Sequence, residues 1–412
     1  MNNLFFKDTI EGIEISYEKL LFDLSVENSY TPFCKSNSFY SVFKHIIYSL
    51  VIGKEIILLD SDFSNDEISK LLGEDWKTLF NEVQMEPLGS IEFTDVLEQI
   101  LKNKNTWKIT MFTSGTTGLP KKISHTYDSI SRFVKKDDKC VDNIWGFAYN
   151  PTHMAGLQVF FQAFLNHNPI IRLFGINRNT IIELINSFNI TNISATPTFY
   201  RLLLPVDNSC PSVKILTSGG EKFDSNTLKL LLQLFPNSRV RNVYASTEAG
   251  SLFSSNEDIF TLKQDILPLI KVLNNELYLH RTLLGESSSF QLVDNWYATG
   301  DLIEIKSETP FTFKFVSRKN EMINTGGYKV NPNEVEEVIR SCSGVKDVFV
   351  YGKKSGLLGN VICCEVVKSI DALTEKQIRT FLKDKIQEYK IPRVVRFVES
   401  LSTTRTGKLS RR

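Results

Sequence analysis

Short apolar runs of strand length alternate with longer segments of helical period through the first three quarters of the chain. Residues 55–60 (EIILLD) predict a strand and residues 66–72 a helix, whereas residues 108–112 (KITMF) predict a strand that enters a loop rich in Gly and Thr. The alternation continues with predicted helices at residues 155–166, 180–188 and 225–235, and predicted strands at residues 169–174, 192–197, 213–218 and 239–246. This order predicts an α/β fold in which helices cover both faces of a parallel sheet and ligands bind at the carboxyl ends of the strands.

The pattern changes at about residue 320 to that of a small α+β unit. Its predicted helices are residues 333–342 and 376–390, and its predicted strands are residues 345–352, 361–367 and 393–400. A boundary at residues 317–321 then divides the chain into a large N-terminal domain, residues 1–319, and a small C-terminal domain, residues 320–412.

Composition and charge narrow the class of ligand. Of the 412 residues, 42% are hydrophobic, and 48 Lys and Arg balance 47 Asp and Glu to a formal net charge of +1. This balance argues against electrostatic binding to nucleic acid or an anionic membrane and favours a small neutral or anionic ligand. The N-terminus lacks a basic leader, and the most apolar window, residues 46–53, is far shorter than the about 20 residues that cross a bilayer. We therefore expect no membrane span and a cytoplasmic protein.

The cysteines and histidines do not form a metal-binding pattern. The 6 Cys have no CxxC spacing, and the 5 His are scattered without an HExxH pair. We expect buried, reduced thiols and no zinc site built from these side chains.

A loop rich in hydroxyl groups follows the predicted strand at residues 108–112. Residues 113–121 read TSGTTGLPK, in which glycines let the backbone turn tightly while hydroxyl and N–H groups offer donors to phosphate oxygens. The loop is not a Walker A motif, because Lys121 follows Pro120 rather than Gly. Taken alone, a polyphosphate-binding loop and a flexible surface loop are equally compatible with this segment.

Further motifs follow this loop in a fixed order. They are residues 242–250 (NVYASTEAG), 297–301 (YATGD), 317–339 (SRKNEMINTGGYKVNPNEVEEVI) and 404–408 (TRTGK). Together with the loop they resemble the ANL superfamily of adenylate-forming enzymes, which contains acyl- and aryl-CoA synthetases, adenylation domains of peptide synthetases and firefly luciferase. The resemblance runs from about residue 106 to the C-terminus. Residues 151–157 (PTHMAGL) are most similar to the o-succinylbenzoate-CoA ligases and related aryl-acid ligases of that superfamily.

The resemblance implies an ATP- and Mg²⁺-dependent acid-thiol ligase. A carboxylate attacks the α-phosphate of ATP to give an acyl-adenylate and pyrophosphate, and the thiol of coenzyme A then displaces AMP. The implied catalytic residues are Lys408, which stabilises charge during adenylation, Thr247, which contacts the α-phosphate, and Glu248, which binds Mg²⁺. Tyr244 would stack on adenine, Asn242 would bond its amine, and Asp301 with Arg318 nearby would bind the ribose hydroxyls. The other implied ATP-binding residues are Thr113, Ser114, Gly115, Thr116, Thr117, Gly118, Lys121, Gly220 and Glu221.

The same resemblance implies sites for the acid and the thiol. Gly219 and His153 would border the acyl site, whereas Phe160, Phe161 and Phe164 share a helical face and fit a hydrophobic core better than an acyl contact. Gly326, Gly327 and Tyr328 would flank the pantetheine tunnel. In the family the C-terminal domain is a mobile lid that rotates between the two steps. The hinge matches Asn320, where Asp or Lys is usual, and Ser246 and Ser317 also depart from the common pattern.

Several alternatives stay open at this point. The expected substrates are a small carboxylic acid, by the similarity around His153 an aromatic one, and CoA. An acyl or peptidyl carrier protein is the alternative acceptor, because its phosphopantetheine arm presents the same thiol. A non-catalytic adenylate-binding protein is a remote alternative, and luciferase-type oxygenation ranks last because no motif selects for it.

Overall fold

The structure is a computed structural model that describes residues 3–113, 120–219, 225–325, 328–355, 359–383 and 385–402. Its α-helices are α1 (Tyr17–Ser25), α2 (Phe39–Val51), α3 (Asn65–Leu72), α4 (Phe93–Asn103), α5 (Tyr127–Ser131), α6 (Met154–Phe164), α7 (Arg178–Ser187), α8 (Pro197–Leu202), α9 (Ser225–Leu234), α10 (Pro332–Arg340) and α11 (Glu375–Lys383). Short 3₁₀ helices are Glu74–Phe80, Asp138–Cys140, Leu267–Leu269, Arg281–Leu283 and Glu388–Lys390.

The strands number from β1 to β25 in chain order. They are β1 (Leu4–Asp8), β2 (Ile13–Ser16), β3 (Ser29–Tyr30), β4 (Phe33–Lys35), β5 (Ile56–Leu59), β6 (Val83–Gln84), β7 (Lys108–Thr113), β8 (Lys121–Thr126), β9 (Trp145–Phe147), β10 (Ile170–Arg172), β11 (Asn192–Ala195), β12 (Ile215–Gly219), β13 (Arg239–Ser246), β14 (Gly250–Ser255), β15 (Ile259–Thr261), β16 (Ile270–Leu273), β17 (Glu276–His280), β18 (Leu292–Val293), β19 (Trp296–Glu308), β20 (Phe311–Arg318), β21 (Ile323–Thr325), β22 (Tyr328–Val330), β23 (Val345–Ser355), β24 (Gly359–Lys368) and β25 (Val394–Val398).

The main sheet confirms the predicted α/β fold. Its order is β14-β13-β12-β11-β9-β10-β1-β2, and the six inner strands, from β13 to β1, are parallel to one another. The edge strands β2 and β14 are antiparallel. Residues near the N-terminus thus complete a sheet whose other edge carries the Ser-Thr-Glu motif, although they hold no motif of their own.

A second sheet, in the order β4-β5-β7-β8, carries the strands on either side of the Gly/Thr loop. An aromatic core that includes residues of α2 and α6 fills the interior of this part of the chain. Phe160 stacks on Phe43 with ring centroids 4.6 Å apart, and Phe160, Phe161 and Phe164 are fully buried. These phenylalanines are therefore core residues, as their helical spacing predicts.

A third sheet occupies residues 259–318, where the sequence analysis assigned no elements. Its order is β15-β20-β19-β17-β16, with β18 paired to β19, and every pairing is antiparallel. Register shifts interrupt the pairing of β19 with both of its long neighbours. Residues 303–306 (IEIK) and 311–315 (FTFKF) alternate apolar and polar side chains, so a period of two was present in β19 and β20 although the sequence analysis assigned no strands there.

The C-terminal unit has its own sheet, in the order β22-β21-β24-β23 with β25 beside β24. A hydrophobic core of residues from Ile323 to Val395 lies within this unit. The predicted helix 376–390 is wrong in length, because α11 ends at Lys383. Beyond that point the N–H groups of Lys385 and Ile386 both donate to the Leu382 carbonyl, so the chain closes into a turn, and Ile386 packs on the core from outside the helix.

All six cysteines are free and buried, as the sequence predicts. Within the described residues, we find no helix that is both long enough and apolar enough to span a membrane.

Candidate active site

Part of the predicted site lies outside the described residues. This holds for Ser114, Gly115, Thr116, Thr117 and Gly118, for Gly220 and Glu221, for Gly326 and Gly327, and for Lys408. Thr113 and Lys121 are described and face each other as the last pair of the antiparallel strands β7 and β8. The Gly/Thr loop therefore joins two antiparallel strands, unlike a Walker A loop, which leads from a strand into a helix.

Tyr244, expected at the adenine, meets Asp301 and Arg318, expected at the ribose, and the three residues come from three strands. The hydroxyl of Tyr244 on β13 donates to Asp301 Oδ2 at 2.6 Å, and Nε of Arg318 on β20 donates to Asp301 Oδ1 at 3.0 Å. Asp301 is only 5% exposed, whereas the Arg318 side chain is 47% exposed. We call Tyr244, Asp301 and Arg318 the ribose cluster. Both oxygens of the Asp301 carboxylate accept hydrogen bonds within the cluster, and the Arg318 side chain is partly exposed to solvent. This arrangement suits a ligand that binds from solvent.

A bend in β19 sets the position of Asp301. Gly300 adopts φ +75°, a left-handed conformation that glycine accepts without strain. Its N–H donates to Glu276 Oε1 at 3.2 Å, and its carbonyl accepts from Lys319 N at 2.8 Å. The hydroxyl of Thr299 accepts from Asp301 N at 3.0 Å. Glu276 also pairs with Lys319 Nζ at 2.9 Å, so the bend is fixed on both strands.

The charges of the site determine the protonation of its donors. Asp301 raises the pKa of Arg318, and burial followed by the Asp301 charge raises the pKa of Tyr244 well above its usual value. Burial and then Glu248 raise the pKa of Tyr297 to about 12. At neutral pH Tyr244 is therefore a protonated donor and Arg318 is charged. Because the Glu248 charge acts on Tyr244, Tyr297 and Arg318, the acidic residue lies near the ribose cluster.

The ring of Tyr244 packs on aromatic neighbours in this structure. It stacks on Phe315 at 4.4 Å and lies nearly parallel to Phe253, its cross-strand neighbour, at 5.5 Å. Asn242 approaches the Glu257 carbonyl at 3.4 Å. Stacking of Tyr244 on adenine and the bond of Asn242 to the adenine amine stay predictions.

Glu248 lies in the tight turn between β13 and β14, residues 246–249, which we call the acidic turn. The Ser246 hydroxyl accepts from Ala249 N at 3.2 Å. Glu248 is partly exposed and forms no ion pair within the described parts of the chain. The described parts of the chain contain no cluster of three or more acidic, His or Cys side chains that could hold a metal. A single carboxylate fits a partly hydrated Mg²⁺ that arrives with phosphate oxygens, and does not fit a resident, fully protein-bound metal.

A cavity of about 260 Å³ begins at the acidic turn and extends between α6 and the main sheet. We call it the acyl cavity. His153, Gly219 and Thr247 all line it. The larger apolar and aromatic side chains of its wall are Ile130, Phe133, Val134, Trp145, Tyr149, Met154, Val159, Val243, Leu252 and Phe253. The structure thus brings the two predicted acyl-site residues to one cavity, and Thr247 is the point where this cavity meets the acidic turn.

A row of polar side chains crosses the wall formed by the sheet. Ser194 pairs with Thr217 in the register of β11 and β12, and Thr217 pairs with Arg241 in that of β12 and β13. All three line the cavity, so they lie side by side on one face of the sheet. Arg241 has no ion pair or hydrogen bond within the described residues, and the cavity wall contains no Asp or Glu. The guanidinium is therefore available to an anion.

A buried carboxylate lies behind His153. Asp60, 7% exposed and next to the end of β5, accepts the Thr152 hydroxyl and lies 3.0 Å from His153 Nε2. His153 is the residue before α6, and Gly156 in the first turn of that helix is sterically required, since a Cβ there would lie 2.3 Å from the Asn150 carbonyl oxygen. The spacing of His and Gly in PTHMAGL therefore lets α6 pack against the preceding loop.

The remaining described candidates lie at the start of the C-terminal unit. Asn320 is an exposed residue in a turn that follows β20. Tyr328 is 55% exposed, and its ring stacks on Tyr389 at 4.3 Å. The roles of both residues, at the hinge and at the thiol tunnel, stay predictions.

Sequence reasoning missed Arg241, Asp60 and a buried histidine, His125, whose pKa is lowered by burial. The sequence contained a signal for Arg241, because this cation shares one face of its strand with the apolar residues Val243 and Ala245. Asp60 contacts Thr152, 92 positions away, and His125 contacts Thr247, 122 positions away, so no local pattern connects either residue with the site.

Comparison with known proteins agrees with this geometry. The family model of AMP-binding enzymes matches residues 51–273, more than half of the chain, and the model of the AMP-binding enzyme C-terminal domain matches residues 334–408. The 2-succinylbenzoate-CoA ligase of Listeria monocytogenes serotype 4b is 27% identical over 324 residues, which are 73% of this chain and 68% of that ligase.

Solved structures show the same fold. ATP-bound MatB from Rhodopseudomonas palustris has a TM-score of 0.72 at 16% identity, over 99% of this chain and 94% of MatB. The o-succinylbenzoate CoA synthetase MenE from Bacillus subtilis, in complex with the acyl-adenylate OSB-AMP, has a TM-score of 0.69 at 19% identity, over 99% of this chain and 94% of MenE. The complex of the same synthetase with ATP and a magnesium ion has a TM-score of 0.68 at 19% identity, over 99% of this chain and 95% of the MenE chain. The chain therefore belongs to the AMP-binding enzyme family and to the ANL superfamily of adenylate-forming enzymes.

Proposed function

We propose that this enzyme is an AMP-forming acid-CoA ligase that uses Mg·ATP. The observation that carries the proposal is the position of Thr247, which lines the acyl cavity and precedes Glu248 in the acidic turn. An acid in the cavity would present its carboxylate where Thr247 contacts the α-phosphate. The names of the relatives, which are CoA ligases, support the same reaction.

In the first step the chain positions two substrates. The ribose cluster binds the sugar hydroxyls, since Asp301 offers acceptors and Arg318 donors to them. The acid's oxygen attacks the α-phosphorus, the bond to the bridging oxygen breaks, and pyrophosphate leaves with the electron pair. Glu248 would hold Mg²⁺, which neutralises phosphate charge when bound. Lys408 would stabilise the charge on the reacting oxygens.

In the second step the thiolate of CoA attacks the acyl carbon and AMP leaves. Residues 1–319 and 320–412 are proposed as two domains, because residues 323–398 form a separate sheet with its own core. Rotation about Asn320 would replace Lys408 at the site by the loop with Gly326, Gly327 and Tyr328.

The acid is proposed to be a small aromatic one that carries a second anionic group. Aromatic side chains of the cavity wall favour a flat apolar body, and Arg241, which has no partner among the described residues, favours a negative charge at the position of the polar row. The acid in the name of the Listeria relative, 2-succinylbenzoate, is an aromatic dicarboxylate and so matches both features.

CoA is the proposed acceptor, because the relatives are named as CoA ligases and no finding supports a carrier protein. Location in the cytoplasm stays an expectation, consistent with the use of ATP and CoA.

The test is to incubate the enzyme with Mg·ATP, CoA and a pooled panel of aromatic, dicarboxylic and fatty acids, and to follow AMP and new thioesters by mass spectrometry. We expect AMP together with the CoA thioester of an aromatic diacid. Lys408→Ala should abolish acyl-adenylate formation but leave thioester formation from a supplied acyl-adenylate largely intact. Acyl-adenylate that accumulates without a CoA thioester would instead indicate a carrier protein, and absence of AMP with every acid would contradict the proposal.

A further inference from the structure

His125 lies on β8, the strand that leaves the Gly/Thr loop, and is 1% exposed. Its Nε2 lies 2.7 Å from the carbonyl oxygen of Thr247, and its Nδ1 lies 2.8 Å from the Ser129 hydroxyl. A carbonyl oxygen only accepts, so Nε2 carries the proton. In the neutral ring Nδ1 is then an acceptor, and the Ser129 hydroxyl donates to it. The Thr247 carbonyl thereby selects the tautomer, and Ser129 supports the ring in that state.

Three hydrogen bonds hold the backbone around Glu248. The Thr247 carbonyl, which accepts from His125, belongs to the peptide plane before Glu248. The plane after Glu248 is held by its carbonyl, which accepts from Gly285 N at 2.8 Å, and by Ala249 N, which donates to the Ser246 hydroxyl at 3.2 Å. Because peptide planes are rigid, fixing both of them fixes φ and ψ of Glu248, and hence the direction in which its side chain leaves the backbone.

Gly285 is fitted to the histidine. A Cβ at Gly285 would lie 2.7 Å from His125 Cε1 and 2.7 Å from the Ser124 carbonyl oxygen. Next to this contact, Ser124 and Glu286 exchange backbone hydrogen bonds of 2.9 and 2.8 Å. The strand that leaves the Gly/Thr loop, the acidic turn and the segment around Gly285 therefore meet at one imidazole ring.

We propose that His125 is a positioning residue, which sets the direction in which the Glu248 side chain leaves the backbone through the bond from Nε2–H to the Thr247 carbonyl. The inference rests on the proposed function, since it assumes that Glu248 binds Mg²⁺ with ATP. His125 touches neither Mg²⁺ nor ATP and acts through the backbone. Preorganised supports of this kind change the affinity of a metal site without contributing a ligand.

Two substitutions of His125 separate positioning from packing. The amide nitrogen of Gln reaches close to the position of Nε2, so His125→Gln retains a donor for Thr247. The shorter Asn extends only to the position of Nδ1, so His125→Asn loses that donor and retains a polar group near Ser129. Both variants place an amide in the same buried site, so they should lower thermal stability by similar amounts.

The measurement is the dissociation constant of ATP by isothermal titration calorimetry, with Mg²⁺ and with EDTA, and it needs no acid substrate. We expect His125→Asn to weaken binding of Mg·ATP about 10- to 100-fold and to change binding in EDTA much less, while His125→Gln stays close to the wild type. Ser129→Ala, which leaves the histidine in place but removes its partner at Nδ1, should weaken binding of Mg·ATP by a smaller factor and serves if the histidine variants do not fold.

Equal weakening in the Gln and Asn variants, or unchanged Mg·ATP binding in the Asn and Ser129→Ala variants, would overturn the positioning role while the proposed function stands. If the wild type itself does not bind Mg·ATP, the proposed function fails and this inference fails with it.

Discussion

The nucleotide side and the acyl side of the site are built in opposite ways. In the ribose cluster both oxygens of Asp301 are occupied by partners of this chain, Tyr244 and Arg318, and the backbone beside it is held by Glu276 and Lys319. In the acyl cavity, Arg241 has no partner within the described residues, and about 260 Å³ of space stays open.

The difference follows from what each side has to recognise. Every turnover uses the same nucleotide, so polar groups that hold one another in place are preorganised for it and lose little entropy on binding. The acid must supply its own shape and charge to fill the cavity and pair with Arg241, so selection occurs on that side. Substitutions on the nucleotide side should therefore affect all acids equally, whereas those in the cavity should change the ranking of acids.

The largest effect is expected for Asp301→Ala. It removes the acceptor shared by Tyr244 and Arg318 and, under the proposed function, two charge-assisted hydrogen bonds to the ribose hydroxyls of about 1.5–3 kcal/mol each. We expect the affinity for Mg·ATP, measured by calorimetry, to fall at least about 100-fold. Asp301→Asn, which retains the shape, should lose less. If the alanine variant binds Mg·ATP as tightly as the wild type, the cluster has only a structural role, and the nucleotide side of the site is not built as described above.

Arg241→Leu should have an intermediate effect that depends on the acid. Loss of a charge-assisted hydrogen bond of about 1.5–3 kcal/mol lowers kcat/KM about 10- to 100-fold for an aromatic diacid. The matching acid without the second carboxylate should be unaffected. Arg241→Lys retains the charge and should restore part of the activity with the diacid. Equal losses with both acids would assign Arg241 to packing rather than selection.

Tyr244→Phe should have the smallest effect. It preserves the stack on Phe315 and removes one donor to Asp301, which retains Arg318, so we expect about fivefold weaker Mg·ATP binding, or about 1 kcal/mol.

The wild type adds a pH test of the same hydrogen bond. Because the pKa of Tyr244 is raised well above its usual value of 10, the hydroxyl stays protonated and its contribution is present throughout the range below pH 10. It should be lost only as the pH rises through the raised pKa. The wild type should therefore bind Mg·ATP more tightly than Tyr244→Phe by the same factor at pH 7 and at pH 9. If that factor disappears by pH 9, the hydroxyl does not donate to Asp301.

Local sequence patterns predicted more of the residues on the nucleotide side of the site than on the acyl side. Asp301 and Arg318 each belong to a short motif, and the structure pairs them as cross-strand neighbours on β19 and β20. On the acyl side only His153 and Gly219 were named in advance, whereas Arg241, its neighbours in the polar row and Asp60 were not. Those residues come from separate strands and loops, and only Arg241, a cation on the cavity-facing side of its strand, carries a signal within its own segment.

The sequence by itself determined the alternation of strands and helices that forms β10 to β13 of the main sheet and the core position of Phe160, Phe161 and Phe164, because these depend on periodicity and on residues close together in the chain. Tertiary structure alone decided which strands of residues 259–318 pair with one another, the absence of a partner for Arg241 among the described residues, and the contact of His125 with the acidic turn. Each of these depends on which distant segments become neighbours. His125 and Thr247 lie 122 positions apart in the chain, and only the folded sheets bring them within 2.7 Å.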